Sequence, residues 1–300
     1  MSNPPNIYWL ASYPKSGNTW VRAFIANLMH EKTEAVDINA LHTGAIASGR
    51  EWVEAALEFD TDELSLEEID ALRPAAYRWL SHRLDAPAHH KIHDAYTFLS
   101  NGEPLIPVDA TKGALCIIRN PLDVAISYAN HYDCSIDRAI EQMASSNHGL
   151  CANPLRIYDQ LRQKLLSWSE HVISWADAPN IKKHIVRYED MKQFPIETFS
   201  QIASFLEIPH DDRSITTALE HCKIENLQAQ ESLSPFKEKP AQTGKFFRKG
   251  IVGDWQNTLS TTQVEKIINN HRNVMQRFGY LDNLGQPSEI IAMKDTTSAN

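Results

Sequence analysis

Ile7–Ser12 is a short, mostly apolar run that leads into a proline- and glycine-bearing stretch, Tyr13-Pro14-Lys15-Ser16-Gly17-Asn18. Val21, Phe24, Ile25 and Leu28 then recur at helical spacing, so the pattern predicts strand, tight loop and amphipathic helix, the helix running over about 19–29. The same alternation returns further along. His90–Asp94 reads as a short strand, and Ala114–Ile118 as a buried strand ending at Arg119. Asn120-Pro121 opens a helix carrying Val124, Ile126, Tyr128 and Ala129, and Ile181–Tyr188 reads as a strand followed by Glu189-Asp190. Weaker helical patterns lie at 50–58 and 65–84, and further helices are predicted over 196–206, 212–220 and 261–277. The clearest stripe, Ile157, Leu161, Leu165, Trp168, Val172 and Trp175, predicts one helix over 155–176. Residues 282–300 are polar and read as a loose tail beyond a single domain spanning 1–281.

Strands alternating with helices imply an α/β fold, a central and mostly parallel sheet flanked by helices. In such sheets ligands sit beyond the carboxyl ends of the strands. Lys15, Arg119 and Glu189 each follow a predicted strand, which points to one shared site.

Composition narrows what that site does. The 300 residues, 42% hydrophobic and 22% charged, suffice for one large core. A formal charge of −9 argues against nucleic acid or an anionic membrane as partner, so any anion site is local. The four cysteines, Cys116, Cys134, Cys151 and Cys222, lack zinc or disulfide spacing, and Cys116 reads as a core residue. No run approaches the roughly 18 apolar residues of a membrane span, and Ile7–Ala11 is too short for a signal peptide. A cytoplasmic location is expected.

Three segments carry chemistry. Tyr13-Pro14-Lys15-Ser16-Gly17-Asn18-Thr19-Trp20 is not the GxxxxGK[ST] phosphate loop, yet a lysine beside loop amides and a helix N-terminus suits an anion. Alone it reads equally as a surface turn. Arg119-Asn120-Pro121-Leu122-Asp123-Val124-Ala125-Ile126-Ser127 offers an arginine able to grip a phosphate and a hydroxyl two turns on; alone, Arg119 paired with Asp123 as a helix cap explains it as well. Phe246-Phe247-Arg248-Lys249-Gly250-Ile251-Val252-Gly253-Asp254-Trp255 sets two cations between aromatics and glycines, as a loop over a phosphate would; alone, the basic pair reads as solvated surface.

Together these segments resemble the PAPS-dependent, cytosolic-type sulfotransferase family. YPKSGNTW is similar to its 5′-phosphosulfate loop (usually YPKSGTTW), RNPLDVAIS to its 3′-phosphate segment, and RKGIVGDW to its closing RKGxxGDW loop, in the same order along the chain. The resemblance implies a P-loop-like nucleotide-binding fold and transfer of a sulfuryl group from PAPS to an acceptor hydroxyl or amine, with no metal cofactor. It implies that Lys15, with the amides of Ser16, Gly17, Asn18 and Thr19, stabilises charge on the leaving oxygen, and that Trp20 and Tyr188 lie by the adenine. Arg119, Ser127 and the Arg248-Lys249-Gly250 loop would bind the 3′-phosphate, with Ser127 also holding the lysine until acceptor arrives. Lys91-Ile92-His93-Asp94 resembles the family's KTH segment, which makes His93 the acceptor's base.

The chain departs from the family at three places. Asn18 replaces a threonine, Cys222-Lys223-Ile224 replaces an aromatic-bearing SSF segment beside the adenine, and of the dimerisation segment KxxxTVxxxE only Glu265 matches, which leaves a homodimer open. The acceptor, a small molecule, glycan or lipid, would be chosen by variable loops at 31–86, 131–155 and 228–245, with Trp52, Phe59, Tyr96, Tyr132 and Phe236 as pocket lining or as core. A P-loop kinase would need the absent GK[ST], and a non-catalytic nucleotide-binding protein would have no need of Lys15 and His93.

Overall fold

The computed structural model describes residues 5–30, 34–41, 43–240 and 244–288; positions 289–300 of the expected tail, and parts of the 31–86 and 228–245 loops, lie outside them. In chain order the elements begin with β1 (Ile7–Ser12), α1 (Asn18–Leu28), α2 (Arg50–Leu57), α3 (Leu66–Arg83), β2 (Ala88–Ile92), β3 (Thr111–Ile118), α4 (Pro121–Tyr132) and α5 (Ile136–Ala144). There follow β4 (Gly149–Leu150), β5 (Gln163–Lys164), α6 (Trp168–Ala176), β6 (Lys183–Arg187), α7 (Tyr188–Gln193), α8 (Pro195–Phe205), α9 (Asp212–His221), α10 (Ile224–Leu233) and α11 (Thr261–Arg277).

The main sheet has the order β2-β1-β3-β6, and β1 runs parallel to both of its neighbours. Every residue of β1 is buried, as an unbroken apolar strand covered on both faces requires. The chain divides into two compact units. The first comprises Met1–Tyr13, His42–Ile117 and Ser145–Ile185; the second comprises Pro14–Leu41, Ile118–Ala144 and Val186–Asn300.

In the first unit Ile7, Trp9 and Ala11 project from one face of β1 into a core shared with Tyr77 of α3, Trp175 of α6, Ile92 and Cys116. The Trp9 indole lies edge-on to Tyr77 at 5.1 Å and donates to Thr111 Oγ1 at 2.9 Å, so the largest core residue is satisfied as well as packed. In the second unit α1 packs on α9, α8 on both α7 and α9, and α5 on both α4 and α11. Phe24 of α1 meets Phe199 of α8 with ring centroids 4.4 Å apart.

Most predicted elements stand within one to three residues of their expected limits, and α11 matches its range at both ends. The helix predicted over 155–176 does not form as one element: only Trp168–Ala176 is helical. Leu155 and Ile157 are 94% and 62% exposed, and Leu166 adopts φ 60°. The backbone upstream is committed to other partners: Leu161 N–H donates to Ser48 O, Arg50 N–H to Asp159 O, and Gly149–Leu150 pairs antiparallel with Gln163–Lys164. Helix α6 starts where Ser167 and Glu170 form a reciprocal capping box. The strand predicted to reach Tyr188 stops at Arg187, and Tyr188 is the first residue of α7. Helices α5 and α10 stand where loops were expected. Among the described residues, no helix is long and apolar enough to cross a membrane.

Candidate active site

The loop after β1 is shaped by two residues in the left-handed region. Lys15 has φ 71°, and Gly17, the N-cap of α1, has φ 108°. A Cβ on Gly17 would lie 2.7 Å from Tyr188 Cδ2, so both the conformation and the approach of the ring require glycine. Helix α1 has no side-chain cap and no acidic residue in its first turn. Its leading N–H groups, with the positive end of the helix dipole, suit an anion.

Arg119 joins this loop to the others. Its Nη1 donates to Lys15 O at 3.2 Å, its Nη2 to Ile251 O at 3.0 Å, and its guanidinium lies 4.3 Å from the Tyr188 ring centroid. Asp123, in turn, accepts from the N–H groups of Gly253 (2.8 Å) and Trp255 (3.0 Å). The alternative of a simple Arg119–Asp123 helix cap is therefore not what forms: Asn120 caps α4 by accepting from Leu122 N–H. All three chemistry-bearing segments interlock within the second unit. Glu189 anchors the junction from beneath by accepting from Asn120 N–H and Tyr280 OH, each at 3.0 Å. Burial pushes the Glu189 carboxyl above its ordinary range.

Helix α10 holds the cationic loop. Glu231 accepts from the N–H groups of Phe246 (2.7 Å) and Phe247 (3.0 Å), and Gln228 donates to Phe247 O (3.0 Å) and Arg248 O (2.7 Å). Arg248 and Lys249 both lie on Asp254, at 3.0 and 2.6 Å. Partial burial raises the Asp254 carboxyl, and the hydrogen bonds from Lys249 and Arg248 outweigh it and hold the group below its ordinary range. Gly250 has φ 62° and packs on Ile224, so the segment that lacks the family's aromatic borders this loop through an aliphatic side chain.

Two buried donors in this unit, Ser16 Oγ and Arg119 Nε, have no hydrogen-bond partner. Leaving a buried donor unsatisfied costs about 1–3 kcal/mol. Ser16 lies in the Lys15–Gly17 turn, and Arg119 donates to Lys15 O, so both donors belong to the same loop junction; polar donors of this kind suit an anion. Trp20 meets Tyr188 edge-on at 5.7 Å, and Ser127 is half-buried on α4, one turn from both Asp123 and His131.

His93 belongs to the first unit and follows β2. It is buried, and its Nδ1 lies 2.7 Å from Ser12 O, an atom that can only accept. Nδ1 therefore carries the proton in the neutral ring, and Nε2 carries the lone pair. The neighbouring histidines are otherwise engaged: His90 Nδ1 bonds Ala45 O at 2.9 Å, and His89 stacks on Tyr8. Among the described residues, no group of three or more His, Cys, Asp or Glu side chains is placed to hold a metal.

Several aromatics considered as pocket lining are core. Trp52 donates to Ile46 O and packs toward Tyr77, Tyr96 is buried edge-on to Trp175, and Phe236 clusters with Phe246 and Phe247. Phe59 is 46% exposed, and the Tyr132 ring packs tilted against Tyr128 with centroids 4.3 Å apart. Two side chains at the site escaped the sequence reading. Lys192 Nζ lies 4.9 Å from the Trp20 ring centroid, and His131 Nδ1 lies 3.4 Å from Lys15 Nζ. No single motif marked either, although His131 falls one helical turn after Ser127.

Comparison with known proteins places the chain in a family and supports its fold. The Sulfotransferase domain family matches residues 5–279. Cytosolic sulfotransferase 1 of Arabidopsis thaliana is 27% identical over 86% of this chain and 75% of its own length. Sulfotransferase 1B1 of Mus musculus is 25% identical over 88% and 81%. Among solved structures, retinol dehydratase in complex with androsterone and the inactive cofactor PAP superposes with a TM-score of 0.62 at 17% identity, covering 92% of this chain and 82% of that one. Mouse sulfotransferase SULT7A1 complexed with PAP gives 0.58 at 18%, covering 95% and 88%.

Proposed function

The chain belongs to the sulfotransferase domain family, and from that premise we propose that it transfers the sulfuryl group of PAPS to a hydroxyl or amine of a small-molecule, glycan or lipid acceptor. The observation that carries the reading is the pair of buried, unsatisfied donors, Ser16 Oγ and Arg119 Nε, beside an uncapped helix N-terminus in an acidic protein. These unpaired donors support binding of an anion there. PAP, named with both structural neighbours, is the desulfated product of PAPS.

In this reading Lys15 and the amides of Ser16, Gly17, Asn18 and Thr19 receive the phosphosulfate. As the bond from sulfur to the bridging oxygen breaks, its electron pair stays on that oxygen, and the Lys15 ammonium stabilises the developing charge. The acceptor oxygen or nitrogen forms the new bond to sulfur, and its proton passes to His93 Nε2. Arg119, Ser127, Arg248, Lys249 and Gly250 take the 3′-phosphate, while Trp20 and Tyr188 border the adenine. Arg248 and Lys249 would then trade Asp254 for the phosphate, which sets their pairing as part of the binding cost. A cytoplasmic location fits relatives named as cytosolic sulfotransferases.

The test is calorimetric titration with PAP, AMP and ATP without added divalent cation. The reading requires tight PAP binding and much weaker AMP and ATP binding. Equal affinity for PAP and AMP would remove the 3′-phosphate site and, with it, the proposed donor.

A further inference from the structure

Helix α4 presents Ser127 and His131 one turn apart, and it is His131 that reaches Lys15: Nδ1 and Nζ are 3.4 Å apart. An ammonium can only donate, so the imidazole accepts and its Nε2 carries the ring proton. Phe246 covers the same ammonium, with its ring centroid 4.1 Å from Nζ, and it meets the His131 ring edge-on at 5.7 Å. His131 is further fixed by the edge-on Tyr132 ring at 4.7 Å. Phe246 is itself set by its N–H on Glu231 and by packing on Phe236 and Phe247. The ammonium therefore lies between two side chains that are both held from behind.

We propose that His131 and Phe246 form a resting clamp on Lys15, with His131 a positioning residue that must release the lysine before it engages the donor. The inference rests on the sulfotransferase reading, since it presumes that Lys15 meets the phosphosulfate. Its consequence is a penalty on donor binding. The nucleotide meets a lysine that is committed elsewhere, and its apparent affinity is the intrinsic affinity multiplied by the fraction of molecules in which Lys15 is released. Phe246 stands two residues before Arg248, so the loop assigned to the 3′-phosphate also carries half of the clamp.

The experiment is a double-mutant cycle read by calorimetric titration of PAP. His131→Phe keeps an aromatic ring and removes the acceptor; it is expected to bind PAP about tenfold more tightly than the wild type, the scale of one hydrogen bond to a charged group. His131→Asn restores an acceptor and should return affinity toward the wild-type value. In a Lys15→Ala background, His131→Phe should change affinity less than twofold. Should His131→Phe not fold, as judged by near-UV circular dichroism, His131→Leu replaces it in both backgrounds. Unchanged or weaker PAP binding in the single variant, or a gain that persists without Lys15, overturns the clamp. Loss of PAP preference over AMP in the wild type is a different result: it overturns the sulfotransferase reading on which the clamp stands.

Discussion

Arg73 closes both arms of its guanidinium on Asp94, Nη1 to Oδ1 at 3.1 Å and Nη2 to Oδ2 at 2.7 Å, with both side chains fully buried. Asp94 follows His93 and is held by two further bonds: Oδ1 accepts from Lys164 N–H at 3.1 Å, and its carbonyl accepts from the Trp175 indole at 2.9 Å. The residue after the proposed base is thus fixed from α3, β5 and α6 at once.

Removing one member of this pair strands the other in the core. Arg73→Met should lower stability by about 3–5 kcal/mol, the cost of an uncompensated buried charge. Arg73→Met/Asp94→Leu removes both charges and should recover a large part of that loss. Urea denaturation of the two variants against the wild type checks the order. A double variant no more stable than the single one would show that packing rather than charge dominates here.

Lys15 and His93 should separate kinetically. Lys15→Ala is expected to lower turnover by about 10²–10³-fold, the range for losing one charge-stabilising group. His93→Gln should lower it by about 10²–10⁴-fold through loss of the base. PAP affinity should be retained in His93→Gln, whose site in the first unit is not part of the Arg119 junction. Turnover of labelled PAPS against a panel of phenols, alcohols and amines, paired with PAP titrations, measures both quantities. Full activity in either variant would reassign that step to another residue.

The three segments that carry charge were legible because each is contiguous: Lys15, Arg119 and Arg248 stand in short runs whose loops and helix starts announce themselves through proline, glycine and asparagine. The failures have physical causes. The stripe from Ile157 to Trp175 kept helical spacing, but the backbone of 159–166 is used by Ser48, Arg50 and the β4–β5 ladder, and no periodicity rule sees such long-range partners. Helix α10 escaped because its inward positions include Glu231, buried to receive two backbone N–H groups, so no apolar stripe was there to find. His131 was invisible for a related reason. Its meaning depends on Lys15, 116 positions away.

Gly17 is the most constrained position in the site. Gly17→Ala meets two obstacles, a φ of 108° and a Tyr188 ring atom 2.7 Å from the new methyl group. A strained backbone of this kind costs about 1–3 kcal/mol, and the ring must also shift. The variant should unfold at lower temperature and bind PAP more weakly. Adding Tyr188→Ala should restore the loss of thermal stability in part but not the affinity, because Tyr188 also supports Arg119. Thermal unfolding and PAP titration of both variants separate the steric from the binding contribution.

Acid should destabilise the chain before its carboxylates titrate. Burial pushes the imidazoles of His171 and His271 down from 6.5 to about 4. His171 is fully enclosed, with Nδ1 on Leu165 O and its ring edge-on to Tyr13. A histidine with a folded pKa below its unfolded value binds fewer protons when native, so its contribution is complete above pH 6.5 and is lost as pH falls toward 4. Each such shift amounts to roughly 3 kcal/mol at its acid limit. Glu189 acts with the opposite sign: burial raises its pKa, so its neutral form favours the native state and softens the acid loss at the lower end. The urea midpoint should therefore drop steadily from pH 7 to pH 4.5. His171→Gln should lower the midpoint at pH 7 yet flatten its dependence on pH, and His271→Gln should flatten it further. A slope unchanged in both variants would place the titrating groups elsewhere in the chain.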